Sequence, residues 1–160
     1  MNIQPNPYRP AIIRHSLVTM MSHDRYGHAI TLTLNRGGLG VDWLNSRFKV
    51  FCHEIDRLKF NRVRVSKVPS TERLHAIAVP EKVNTNAHLH VVADLGFMVA
   101  RGYLEADIAR EVDVIWAKVT NGSGTSDVQP IANDGWAWYA TKESFARDHQ
   151  YFLSSDYHPF

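Results

Sequence analysis

The stretch Leu74 to Leu95 constrains the fold most. Leu74 to Glu81 alternates in a way that suits a strand, with His75, Ile77, Val79 and Glu81 on one face. Leu89 to Leu95 is rich in valine and leucine and bounded by polar residues, so it reads as a buried strand. Lys82 to Ala87 between them carries two asparagines and a threonine, which suits a hairpin loop. Side chains alternate across a strand, so His88, His90 and Val92 share one face. If Glu81 pairs opposite His88 or His90, it joins the two imidazoles, whereas a one-residue slip sends it to the far face. A carboxylate and two imidazoles on a sheet surface suit a hard or borderline divalent ion, while zinc usually takes a fuller nitrogen and sulfur set. Set against this, histidines on strands are often just half-buried polar residues.

Other elements follow from periodicity. His28 to Asn35 alternates apolar and polar, predicting a strand with Ile30, Leu32 and Leu34 toward the core and Thr31, Thr33 and Asn35 on the other side. Leu44, Phe48, Phe51, Ile55 and Leu58 recur at helical spacing behind Asp42, a fair N-cap. Leu104, Ile108, Val112, Ile115 and Val119 predict a second helix over about Tyr103 to Val119. Ser126 to Ala132 is a short strand candidate, and Trp136 to Glu143 a short helix with Tyr139 and Lys142 on one side. Pro5, Pro7 and Pro10 argue against early regular structure, and Ile12 to Met21 fits a short strand or a helix. The order predicts an α+β fold, a central, largely antiparallel sheet with helices packed on one face. It forms a single domain over 1–160, with an N-terminal extension (1–27), a core (29–143) and a C-terminal tail (144–160).

The 160 residues are enough for one domain with a real core, and 44% hydrophobic content is ordinary for a globular protein. No apolar run approaches membrane-spanning length, so no membrane partner is expected. The single cysteine, Cys52, falls in a predicted helix as a buried structural thiol, and the setting expected is reducing and cytoplasmic. Residues 1–75 carry a net charge of +7 and residues 76–160 one of −5. The basic share concentrates around Arg57, Lys59, Arg62, Arg64 and Lys67, as on a polyanion-facing surface or a solvated helix end. Arg36-Gly37-Gly38-Leu39-Gly40 lacks the Lys-Ser/Thr ending of a phosphate-binding loop.

Three stretches together resemble one family. Ile30-Thr31-Leu32-Thr33-Leu34 looks like the first-strand motif of HUH endonucleases, the rolling-circle replication initiators and their relatives. His88-Leu89-His90 looks like their metal motif, and Tyr139-Ala140-Thr141-Lys142 like their Tyr-x-x-Lys nucleophile motif. The resemblance covers roughly Ala29 to Glu143. It implies an HUH, ferredoxin-like or palm-like fold and a metal-dependent endonuclease and strand transferase acting on single-stranded DNA at an origin or hairpin, on a plasmid, phage or transposon. Tyr139 would attack the DNA backbone and keep the 5′-phosphate. His88, His90 and Glu81 would hold Mg²⁺ or Mn²⁺, with Lys142 beside the tyrosine. Thr31, Thr33, Asn35, Arg62 and Arg64 are candidate DNA contacts. Glu143 stands where two-tyrosine relatives would carry a second tyrosine at helical spacing, so the single-tyrosine class is implied. Tyr151 and Tyr157 are rivals without a lysine three residues on. No P-loop is present, so the resemblance implies work with a host helicase or replisome, or alone. The alternatives are a non-cleaving DNA-binding module of the same fold and an unrelated His-x-His metal hydrolase.

Overall fold

The computed structural model describes residues 9–61, 64–142 and 150–158. Its elements are α1 (Arg9–Met21), β1 (His28–Thr33), α2 (Val41–Lys59), β2 (Ala76–Glu81), β3 (His88–Ala93), α3 (Gly96–Ala100), α4 (Glu105–Val119), β4 (Thr125–Pro130), α5 (Gly135–Ala140) and β5 (Phe152–Leu153). Single 3₁₀ turns lie at Val65–Lys67, Ser70–Glu72 and Ser154–Tyr157. The strands form one antiparallel sheet in the order β4-β1-β3-β2-β5. The α+β architecture is the one expected.

The main core lies between one sheet face and helices α2 and α4. Ile30, Leu32, Leu89 and Val91 meet Leu44, Phe48, Phe51, Ile55, Ile108, Val112 and Trp116 there, and all are fully buried. The periodic stripes were right apart from their ends. Leu58 is only partly buried, and Leu104 is 71% exposed because it stands before the first turn of α4 instead of inside it. Helix α2 starts behind Gly40, and Asp42 lies within its first turn, where its charge favours the helix dipole without a capping bond.

Helices on a single face is the expectation that fails. Helices α1 and α5 cover the second face, where Leu17, Val18, Met21, Ala137 and Ala140 pack on Ile77, Val79 and Val92. The physical reason is visible in β2 and β3. Strand β2 is apolar on both sides, β3 adds Val92 beside its histidines on the second face, and a sheet of that kind needs cover twice. Helix α1 therefore belongs to the fold, although 1–27 reads as an extension. Pro10 sits in its first turn, where a missing N–H costs nothing.

The C-terminal stretch closes the sheet instead of trailing from it. Strand β5 pairs with Ile77 and Ala78, and Ser154 Oγ donates to the Leu74 carbonyl (2.7 Å) and accepts from the Ala76 N–H (2.9 Å). Phe152 and Tyr157 both lie against the Phe48 ring.

Cys52 is buried, as expected, and burial with the nearby Asp56 charge pushes its thiol well above the usual range. The thiolate is the reactive form. Native protein at neutral pH is therefore expected to resist iodoacetamide and to be fully alkylated once unfolded in guanidinium. Mass spectrometry of the two samples checks this.

Candidate metal and nucleophile site

The register joins the acid to the imidazoles. Glu81 pairs with His88, and His90 pairs with Val79 on one side and Thr31 on the other. All of these point to the face covered by α1 and α5. The hairpin is held from outside by the glycine-rich stretch after β1. Ala87 donates its N–H to the Arg36 carbonyl and accepts from the Leu34 N–H. A Cβ at Gly37 would lie 2.1 Å from the Thr85 carbonyl oxygen, so only glycine permits that approach.

Glu81 and His90 are buried and His88 is partly so. The Nε2 atoms of both histidines converge on Glu81 Oε2, His88 at 2.8 Å and His90 closer still. One ligand atom from each of the three residues lies within 4.8 Å of the others, and the cluster can hold a metal ion. The chemistry of the set agrees. His88 Nδ1 lies 2.8 Å from the Asn86 carbonyl, an acceptor only, so Nδ1 carries the proton. In neutral His88 the bare Nε2 then faces a carboxylate oxygen, lone pair to lone pair. A cation between them resolves the contact, and a second-nitrogen bond to a carbonyl is the usual way ligating histidines are oriented. His90 Nδ1 lies 3.5 Å from Thr31 Oγ1. Burial lowers the pKa of His90 against the opposing pull of Glu81, which keeps the ring in the neutral, ligating form.

Helix α5 ends at Ala140, short of the helix expected to Glu143, and it and the turn after it bring the remaining groups. The Tyr139 ring stands edge-on to His90, centroids 5.4 Å apart, and the phenol side chain is otherwise exposed. Lys142 Nζ lies 3.7 Å from the centre of the Tyr139 ring and 3.2 Å from Glu81 Oε1. The Tyr139 hydroxyl and Glu81 raise its pKa, so it stays an ammonium at neutral pH. Tyr139 and Lys142 are thus on the histidine face, about fifty residues beyond the hairpin in the chain.

Arg14 is a member of this neighbourhood that sequence reasoning missed. From α1 it donates Nη2 to the Trp138 carbonyl (3.1 Å) and Nε to Thr141 Oγ1 (3.3 Å), with its guanidinium over the Trp138 ring. It ties α1 to the helix that carries Tyr139. No motif marks it, because the bond spans more than a hundred residues.

The candidate DNA contacts divide. Thr31 and Thr33 are half-buried on the site face, opposite His90 and His88. Asn35 turns away into a structural bond, giving Nδ2 to the Ser123 carbonyl (3.0 Å) from a left-handed backbone (φ 56°). Arg64 is exposed, and Arg62 lies outside the described residues. Of the rival tyrosines, Tyr157 gives its hydroxyl to Asn45 Oδ1, and burial raises its pKa. Tyr151 is exposed. Among the described residues no helix is long and apolar enough to cross a membrane.

Compared with protein-family models, curated proteins and solved structures, the chain matches none.

A cation that binds only the folded state stabilises it by mass action. Mn²⁺ at a hundred times its Kd should add about 2.7 kcal/mol and raise Tm by roughly 5–10 °C in a domain of this size. Glu81→Gln removes the charged ligand and should abolish that shift. Thermal unfolding of both proteins with and without Mn²⁺ is the check.

Proposed function

We propose that the protein is a metal-dependent endonuclease and strand transferase of the HUH type, acting on single-stranded DNA with Tyr139 as its nucleophile. The observation that carries this reading is the meeting of Tyr139 from α5 and Lys142 from the turn after it with Glu81, His88 and His90 from the β2–β3 hairpin on one sheet face. A hydrolase that needed only the metal cluster would have no use for a phenol and an ammonium beside it.

The chemistry follows from the groups. The Tyr139 oxygen attacks the scissile phosphorus as the bond from phosphorus to the 3′-oxygen breaks. The DNA 5′-phosphate stays on the tyrosine, the departing oxygen takes up a proton to become a 3′-hydroxyl, and the phenolic proton is released to water. Reversal by another 3′-hydroxyl rejoins a strand. A phenol has an ordinary pKa of about 10 and is a weak nucleophile at neutral pH. Lys142 is a permanent cation beside it, fit to stabilise the phenolate and the phosphate oxygens, and unfit to act as a base. Glu81, His88 and His90 would hold Mg²⁺ or Mn²⁺, which supplies Lewis-acid neutralisation of charge on the phosphate. Arg14 positions α5 through Trp138 and Thr141.

The test is a covalent adduct. Protein, Mn²⁺ and a mixed pool of labelled single-stranded DNA should give a labelled band that survives a denaturing gel, and EDTA should remove it. DNA bound but never joined to protein would leave the non-cleaving module in its place. A metal-dependent hydrolysis without adduct would favour the third reading.

A further inference from the structure

We propose that the cavity beside His90 takes one unpaired nucleobase bearing an exocyclic amino group, and so selects the sequence next to the cut. This rests on the DNA-nicking reading above for its ligand. The cavity, about 300 Å³, lies between the end of α1, the end of β3 and the start of α5. It continues the site face. Val92, in its wall, follows His90 by two residues, about 7 Å along the strand. Trp136 belongs to both places, since its ring stands 5.9 Å from that of His90 and also lines the cavity.

The lining fits a base and not a phosphate. Tyr26 and Trp136, both partly buried, offer aromatic surface for stacking. No lysine or arginine is among the lining residues, while Asp24 and Asp134 are. A phosphate would be repelled there, so the sugar-phosphate backbone stays outside on the metal face. Ser22, His23, Tyr26 and Asn133 can donate as well as accept, while the two acids of the lining, Asp24 and Asp134, only accept. Both acids are exposed at the cavity's rim, and Ser22 Oγ is buried without a partner among the described residues. Two carboxylates reward an amino edge and penalise a carbonyl in the same place. Pulled out of a strand, a base held this way is read by its edge and stacked on its faces.

Cytosine and uracil test this cleanly, since they differ in the amino group against a carbonyl at ring position 4. Fluorescence anisotropy of the full chain in EDTA, with labelled dC12 and dU12, measures binding without cutting. The expected result is dC12 tighter by about ten- to hundredfold, the range of one hydrogen bond to a charged group made or lost, since both bases stack alike. Trp136→Ala should weaken dC12 and erase the difference, Trp136→Phe should keep most of both, and Asp134→Asn should reduce the preference alone. Equal affinities, a preference that survives Trp136→Ala, or no binding of either oligomer would overturn the proposal. If Trp136→Ala fails to fold by circular dichroism, Asp134→Asn decides. The two readings fail separately. A base preference without any covalent adduct keeps the cavity assignment and removes the nicking one, and an adduct without preference does the reverse.

Discussion

Tyr139→Phe should abolish the covalent DNA adduct and lower strand cutting at least about a thousandfold, some 4 kcal/mol of barrier. Only the hydroxyl is removed. The ring that meets His90 and lies under Lys142 stays. With the side chain half exposed, the fold should lose less than about 1 kcal/mol. The Mn²⁺-dependent rise in Tm should also survive, because Glu81, His88 and His90 are untouched. That pairing of a lost adduct with a kept metal response separates a nucleophile from a structural tyrosine. Tyr157 cannot take over, since its hydroxyl is bound to Asn45 and burial holds it protonated. An adduct that persists in Tyr139→Phe and vanishes in Tyr151→Phe would move the nucleophile to Tyr151 and end the assignment made from α5.

Asp56→Ala should destabilise the protein by about 3–5 kcal/mol, the cost of removing one partner from a buried ion pair. Asp56 on α2 is fully buried, accepts the Leu74 N–H at 2.6 Å and takes Arg73 Nε at 2.9 Å. The Arg73 side chain is only 5% exposed, so without the carboxylate a buried guanidinium and a buried backbone donor are left unpaired. Urea unfolding should show a lower midpoint with an unchanged slope. The double replacement Asp56→Leu with Arg73→Met should recover most of the loss, because the expense lies in the orphaned charge. Arg73 and Leu74 lead directly into β2, so the pair also anchors the strand that ends in Glu81. Failure of the double variant to recover would mean that Asp56 acts mainly through the Leu74 N–H.

The site was legible in the chain to an unusual degree, for a local reason. A strand repeats every two residues, so His88 and His90 had to share a face. A helical turn puts residues three apart on one side, and although α5 ends at Ala140, the turn after it, with the Lys142 N–H on the Tyr139 carbonyl, keeps Tyr139 and Lys142 together. The α2 and α4 stripes were legible on the same footing. In each case the pattern lies within a few residues and one backbone geometry realises it.

Register, layering and the long-range bonds were decided only by the tertiary structure. A slip of one residue would have carried Glu81 to the opposite face, and the sequence of the loop alone permits both. The observed pairing opposite His88 depends on Leu34, Arg36 and Gly37 gripping the hairpin from the neighbouring strand. The second helical layer had a signal that periodicity does not weigh. Ile77, Val79 and Val92 are apolar on the face that carries the histidines, and something had to bury them. Which segment would do so is a question of packing between distant parts of the chain. The answer, α1 and α5 with the turn after it, set Tyr139 and Lys142 beside Glu81, His88 and His90, with Arg14 fastening the two helices. The closing strand β5 is short and reads as a tail in sequence, because two residues carry too little pattern. Local periodicity thus determined which side chains travel together, and burial of both faces of one sheet determined which pairs meet.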